Sequence, residues 1–260
     1  MTTRAPAVAG LFYDADPNRL QHDIDRLLSD APEDAGALPR VLIVPHAGLV
    51  YSGSTAAIAY KRLFVDRDQF RRVLLLGPAH RVFVSGLAIP SVDRFATPLG
   101  EIALDRGGLD AIADLPAVEV SDAAHRDEHS LEVQLPFLQT VLGRFSLLPV
   151  LVGGADAARV AEVIDVFATD PRTLIVISSD LSHFHEYESA DRLDASTCER
   201  ILARSTTLRG EQACGARVLN GLMDAAHTRD MTIRLLHRCN SGDTAGSRDR
   251  VVGYAAFELY

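Results

Sequence analysis

Four short apolar runs constrain the fold of this chain more than any other feature. They are Val41-Leu42-Ile43-Val44, Val73-Leu74-Leu75-Leu76, the stretch from Ser146 to Val152, and Leu174-Ile175-Val176-Ile177. Each is short and bounded by turn-forming residues, so each reads as a buried strand rather than a helix. Segments with helical spacing separate them. Asp16-Pro17 opens the first with an acid cap and a proline at the first helical position, and Leu20, Ile24, Leu27 and Leu28 follow on one face. Helices are expected over 52–64, 105–114, 130–142, 155–168, 188–204 and 211–226. Short β segments are expected within 86–104, loops over 30–39 and 116–129, and closing strands over 231–238 and 251–259. The alternation predicts an α/β fold, a single domain over residues 1–260 with a central mixed sheet flanked by helices.

Charge and cysteine content narrow the function. The formal net charge is −9 and no basic cluster stands out, which argues against a nucleic-acid partner or an anionic membrane. No apolar stretch approaches a membrane span and no leader pattern opens the chain, so a cytoplasmic location is expected. Cys198, Cys214 and Cys239 are odd in number and unpaired in spacing, unlike a disulfide framework.

The chemistry gathers behind three of the runs. His46 follows the first in Pro45-His46-Ala47-Gly48, and His80 follows the second in Gly77-Pro78-Ala79-His80. Ser178-Ser179-Asp180-Leu181-Ser182-His183 follows the fourth. In an open α/β sheet, ligands bind at the carboxyl ends of strands. Three exits carrying imidazoles therefore point to one pocket that holds a metal or moves protons. Asp180 fits two roles, a carboxylate that orients an imidazole or a helix cap. His129 and Glu132 lie three apart and would share a helical face, with Glu132 supporting the start of the helix rather than ligating. Cys214 sits at the expected start of the last helix, where a thiol gains thiolate character. A buried structural thiol is the alternative.

Several segments resemble the Memo family (mediator of ErbB-driven cell motility). They are Arg4-Ala5-Pro6-Ala7-Val8-Ala9-Gly10-Leu11-Phe12-Tyr13, Pro45 to Gly53, Gly77 to His80, Glu128-His129-Ser130-Leu131-Glu132, Ser178 to His183, Cys214-Gly215 and Tyr254-Ala255-Ala256. Seven motifs in register span almost the whole chain. The resemblance implies a fold like that of the class III, protocatechuate-type extradiol dioxygenases. It implies His46, His80 and Cys214 as ligands of one metal ion, iron or copper with zinc as a third choice. It also implies His183 as an acid–base group oriented by Asp180. A cysteine where those dioxygenases keep a glutamate favours softer metals over ring-cleaving iron chemistry. Prokaryotic relatives are often called the B component of an AmmeMemoRadiSam system, which implies a functional link to a radical-SAM protein. The family thus implies metal-dependent redox or dioxygenase-like chemistry on a small organic molecule. The alternatives are a module that captures a peptide or phosphopeptide in the same cleft, and a hydrolase using a metal-bound water.

Overall fold

The computed structural model describes every residue except Ala35 and Arg67, so one position of the loop expected over 30–39 lies outside the described residues. Among the described residues the strands are, in chain order: β1 (Thr3–Arg4), β2 (Val41–Val44), β3 (Arg72–Pro78), β4 (Leu87–Ile89), β5 (Arg94–Thr97), β6 (Gly100–Ala103), β7 (Val118–Val120), β8 (Ser146–Val152), β9 (Thr173–Ser178), β10 (His183–His185), β11 (Ile233–Asn240) and β12 (Val251–Leu259). The α-helices are α1 (Pro17–Asp30), α2 (Leu49–Lys61), α3 (Arg106–Ala113), α4 (Asp122–Arg126), α5 (Leu135–Val141), α6 (Ala157–Ala168), α7 (Tyr187–Leu202) and α8 (Ala216–Asp224).

The four apolar runs are neighbours. β2, β9, β3 and β8 lie side by side, and every pairing among them is parallel. Antiparallel pairing extends the sheet with β12 beside β2 and β4 beside β8, and β11 and β10 pair with β12. The sheet is therefore mixed. Residues 41–44, 73–78 and 173–178 are buried throughout, as strands covered on both faces require. α1, α2 and α5 pack together, and α6 and α8 form a second group that meets β9 and β3. A small second sheet, β1–β5–β6, ties the N-terminal residues to the molecule.

Local chemistry explains the helix boundaries. Asp16 caps α1 through the amides of Asn18 and Arg19, and Leu20, Ile24 and Leu28 form its buried stripe. The helix expected over 130–142 divides instead. Ser130 does not cap it but donates its hydroxyl to Pro78 O, a 3₁₀ turn covers Glu132–Gln134, and α5 starts at Leu135. Pro136 has no N–H and fits only a first turn, so the α-helix must restart there. The loop expected over 116–129 contains β7, paired with β4, and α4, capped by Ser121. The final helix begins at Ala216, not Glu211. Residues before it are committed elsewhere: Cys214 N donates to Asp180 O and Gly215 N to Ser179 Oγ. A Cβ on Gly215 would lie 2.6 Å from that of Ser179, so only glycine allows this approach.

Parallel pairing puts the carboxyl ends of β2, β3, β8 and β9 on one edge. His46, His80, Gly153-Gly154 and Asp180 follow those ends directly.

Candidate metal centre

Three imidazoles meet at this edge. His46, His80 and His129 each offer a ligand atom, and those atoms lie within 4.8 Å of one another. Ring centroids are 5.4 Å apart for His46 and His80, 5.5 Å for His46 and His129, and 4.8 Å for His80 and His129. Because β9 lies between β2 and β3, the His46 and His80 rings approach each other across its end.

The tautomer of His46 follows from its neighbours. Gln134 Nε2 donates to Pro45 O and to Ser178 Oγ, while Gln134 Oε1 accepts from the Tyr60 hydroxyl. Ser178 spends its single hydrogen on Ser130 O at 2.6 Å. At 2.9 Å from His46 Nδ1, Ser178 Oγ can only accept. His46 therefore carries its proton on Nδ1 and turns a bare Nε2 to the cluster. Burial, only partly opposed by the Asp180 charge, lowers its pKa to about 4, so the ring is neutral. A neutral imidazole with a free nitrogen is the form that binds metals.

Glu128 does the same for His80, and it approaches His129 without a hydrogen bond to that ring's Nδ1. Its carboxylate is buried and lies 3.0 Å from His80 Nδ1 and 3.1 Å from His129 Nδ1. It also accepts the amides of His80, His129 and Ser130. Burial alone would raise its pKa. The nearby His129 and His80 rings and the bonds from the amides outweigh burial and hold the carboxyl well below the ordinary range. An ionised acceptor on Nδ1 fixes the proton there and orients the His80 ring with Nε2 towards the cluster.

Cys214 is not among the three mutually close ligands but approaches one of them. Its Sγ lies 3.3 Å from His46 Nε2, and Asp180 N approaches the sulfur at 3.3 Å. The thiolate character expected from a helix start is not found. The helix begins two residues later, and burial, reinforced by the Asp180 charge, pushes the thiol up to about 12. Asp180 sits beside His46, where it accepts the His46 amide at 2.7 Å and lies 4.0 Å from Nε2. His183 is held apart from it, with Nδ1 2.9 Å from Leu181 O. Among the described residues, no hydrogen bond joins Asp180 to the His183 ring.

Glu132 and His129, three apart in sequence, serve different ends. Glu132 is fully buried and takes Arg4 Nη1 at 2.6 Å, the amides of Ala7 and Val8, and the Tyr13 hydroxyl. It anchors the N-terminal segment, which in turn sets Phe12 against the His129 ring, centroids 4.8 Å apart. His129 and Glu128 are the site residues that spacing alone missed. Their one signal was a conspicuous block, Glu128-His129-Ser130-Leu131-Glu132, with no role assigned to its first two members.

A profile described as Memo-like protein matches residues 4–258. The chain belongs to the Memo family. It is 34% identical over 266 residues to a MEMO1 family protein of Aquifex aeolicus, with 98% of each chain covered. It is 33% identical over 297 residues to the protein memo-1 homolog of Caenorhabditis elegans, covering 99% of this chain and 83% of that one. A MEMO1 family protein of Sulfolobus acidocaldarius is 33% identical over 276 residues, covering 96% and 97%. The crystal structure of an uncharacterized protein from Escherichia coli K12 aligns with a TM-score of 0.49 at 14% identity, over 84% of this chain and 99% of that one. No helix among the described residues of this Memo-family chain is long and apolar enough to cross a membrane.

Proposed function

We propose that this Memo-family protein holds one metal ion at the sheet edge and uses it for redox or dioxygenase-like chemistry on a small organic substrate. The carrying observation is the convergence of His46, His80 and His129, with Nδ1 of His46 bonded to Ser178 and Nδ1 of His80 to Glu128. His46 and His80 are the constant pair of ligands. Cys214 is the third, and His129 is placed to complete the set. Ligands about 2.0–2.1 Å (nitrogen) and 2.3 Å (sulfur) from a tetrahedral ion stand roughly 3.5 Å apart. The 3.3 Å between His46 Nε2 and Cys214 Sγ fits that spacing.

A donor set of imidazole and thiolate suits copper, zinc or iron, and a bound ion of this kind would supply Lewis acidity or electron transfer. The chain's own groups do the rest. Ser178 and Glu128 hold Nδ1 of His46 and His80 and so aim the opposite ring nitrogens at the ion. Asp180 pins the His46 backbone and places a negative charge beside the cluster. His183 presents Nε2 as a proton carrier, because Leu181 O holds its other nitrogen.

The test is metal analysis of protein produced with iron, copper and zinc, together with direct titration. Near-stoichiometric uptake is expected. His46→Ala, His80→Ala and Cys214→Ser should each abolish or sharply weaken it, whereas His22→Ala should not. Folded protein that takes up none of the three ions overturns the proposal. Phosphotyrosine-peptide binding that survives both chelator and Cys214→Ser would favour peptide capture in the cleft instead.

A further inference from the structure

Beside the histidine cluster lies a cavity of about 680 Å³. That is the volume of a small-molecule site. His80 and Cys214 line it, so it opens directly on two of the proposed ligands. It runs between the two segments that carry them. Residues 78–84 supply one wall and residues 208–220 the other.

The character of the lining is uneven. Val82, Phe83, Val84, Val152, Leu208 and Val218 make most of it apolar. Phe83 is 88% exposed, a large ring kept at the surface with its face unspent on the core. Two charged side chains among the described residues contribute, Arg209 and Arg217, both exposed. Among the described residues, no aspartate or glutamate lines the cavity, although the chain carries 35 acidic against 26 basic residues.

Neither arginine is neutralised. Among the described residues, no carboxylate lies within ion-pair distance of either one, whereas Arg4, Arg62, Arg72, Arg234 and Arg238 are all paired. Arg217 Nη1 leans on the carbonyls of Ala155 and Gly154 at 3.3 and 3.5 Å, which sets it at the end of β8. Arg209 also borders a shallow hollow that contains Arg200 and Glu211. In a protein of net negative charge, two free guanidiniums at the mouth of an apolar chamber form a local positive field.

We propose that this cavity binds a small organic carboxylate with an apolar body. Arg209 and Arg217 take the carboxylate, the valine, leucine and Phe83 wall takes the body, and the opposite end of the molecule is presented to His80 and Cys214. Arginine forks pair bidentately with carboxylate and phosphate alike, and the phosphate arm of the test separates the two. The inference rests on the reading of the neighbouring histidines as a metal site, since that reading makes the cavity a substrate chamber.

The test uses the full chain, metal-loaded and chelator-treated, with benzoate, phenylacetate and hexanoate as probes. Benzamide, phenylacetamide and hexanamide are the neutral counterparts, and phenyl phosphate is the phosphate arm. Binding is read by ligand-observed NMR and calorimetry. At least one carboxylate should bind tenfold or more tighter than its amide and weaken as salt rises. Arg209→Gln and Arg217→Gln should each reduce that preference several-fold, while Arg159→Gln, on the surface of α6, leaves it unchanged. Equal binding of every acid and its amide overturns the proposal, and so does a preference indifferent to both arginine variants. Phenyl phosphate binding tighter than all the carboxylates overturns the assignment to carboxylates. The chelator-treated arm separates the two readings. A charge preference without metal uptake leaves the chamber standing and the metal centre refuted, and uptake without preference does the reverse.

Discussion

Glu128→Gln removes one charge from the centre and almost no volume, so its effect can be worked out atom by atom. In the native protein Oε1 accepts from His80 Nδ1 and from the amides of His129 and Ser130, while Oε2 accepts from the His80 amide. Glutamine keeps one oxygen, best placed where Oε1 was. Its NH₂ group then faces the His80 amide, donor against donor. That buried amide loses its acceptor, at a cost of roughly 1–3 kcal/mol of stability. The acceptor left on His80 Nδ1 is now neutral, so the ring is less firmly held in the tautomer that bares Nε2. Loss of an outer-shell carboxylate weakens metal binding by about 10–100-fold. That corresponds to about 1.4–2.8 kcal/mol of binding free energy. The assay is competitive titration of zinc or cobalt against a chromophoric chelator at neutral pH, with circular dichroism to confirm the fold. Glu119→Gln, on exposed β7, is the control and should match the native protein. A folded Glu128→Gln variant with unchanged metal affinity would refute the assignment of Glu128 as the group that orients the ligands.

Other outcomes follow from the same contacts. Nitrogen NMR of the His46 ring should show the Nδ1–H tautomer, and Ser178→Ala should allow the other form while costing about 1–3 kcal/mol for the orphaned donor; an Nε2–H ring in the native protein contradicts the hydrogen-bond chain. Glu132→Ala leaves Arg4 as an unpaired buried charge and should destabilise the protein by about 3–5 kcal/mol in denaturant titration; a loss under 1 kcal/mol (roughly that of an exposed pair) would show the pair is not buried in solution. His125 is buried and has its pKa lowered to about 4, chiefly by burial and despite its bond to Ala88 O. The unfolded chain binds this proton first, so stability should fall as pH drops from 6.5 towards 4, by about 3 kcal/mol from this group. A His125→Gln variant should show a shallower fall over that window, and an equally steep one would exclude His125 as its source.

The arrangement of charge explains how one edge can serve these roles. Two acids, Glu128 and Asp180, are buried behind the histidines, where backbone amides and imidazole N–H groups compensate them. The cations stand on the open side, in the cavity wall. Negative charge thus supports the histidines from within, and positive charge faces whatever enters.

The linear chain already contained the sheet and two of the clustered histidines. Runs such as Val41–Val44 and Leu174–Ile177 have no other stable use than as strands covered on both faces, and His46 and His80 must emerge wherever those strands end. The Memo motifs were equally plain. Other features depended on partners distant in sequence. β7 exists because β4 is beside it, and α8 starts late because Cys214 and Gly215 bond to the end of β9. His129 became a candidate ligand only when Glu132, three residues on, was drawn away to Arg4 and the N-terminal amides. Periodicity reports which residues avoid water, and burial of apolar surface is local enough to be read from it. Which polar groups satisfy one another in the interior depends on where the strands cross, and only the folded chain determines that.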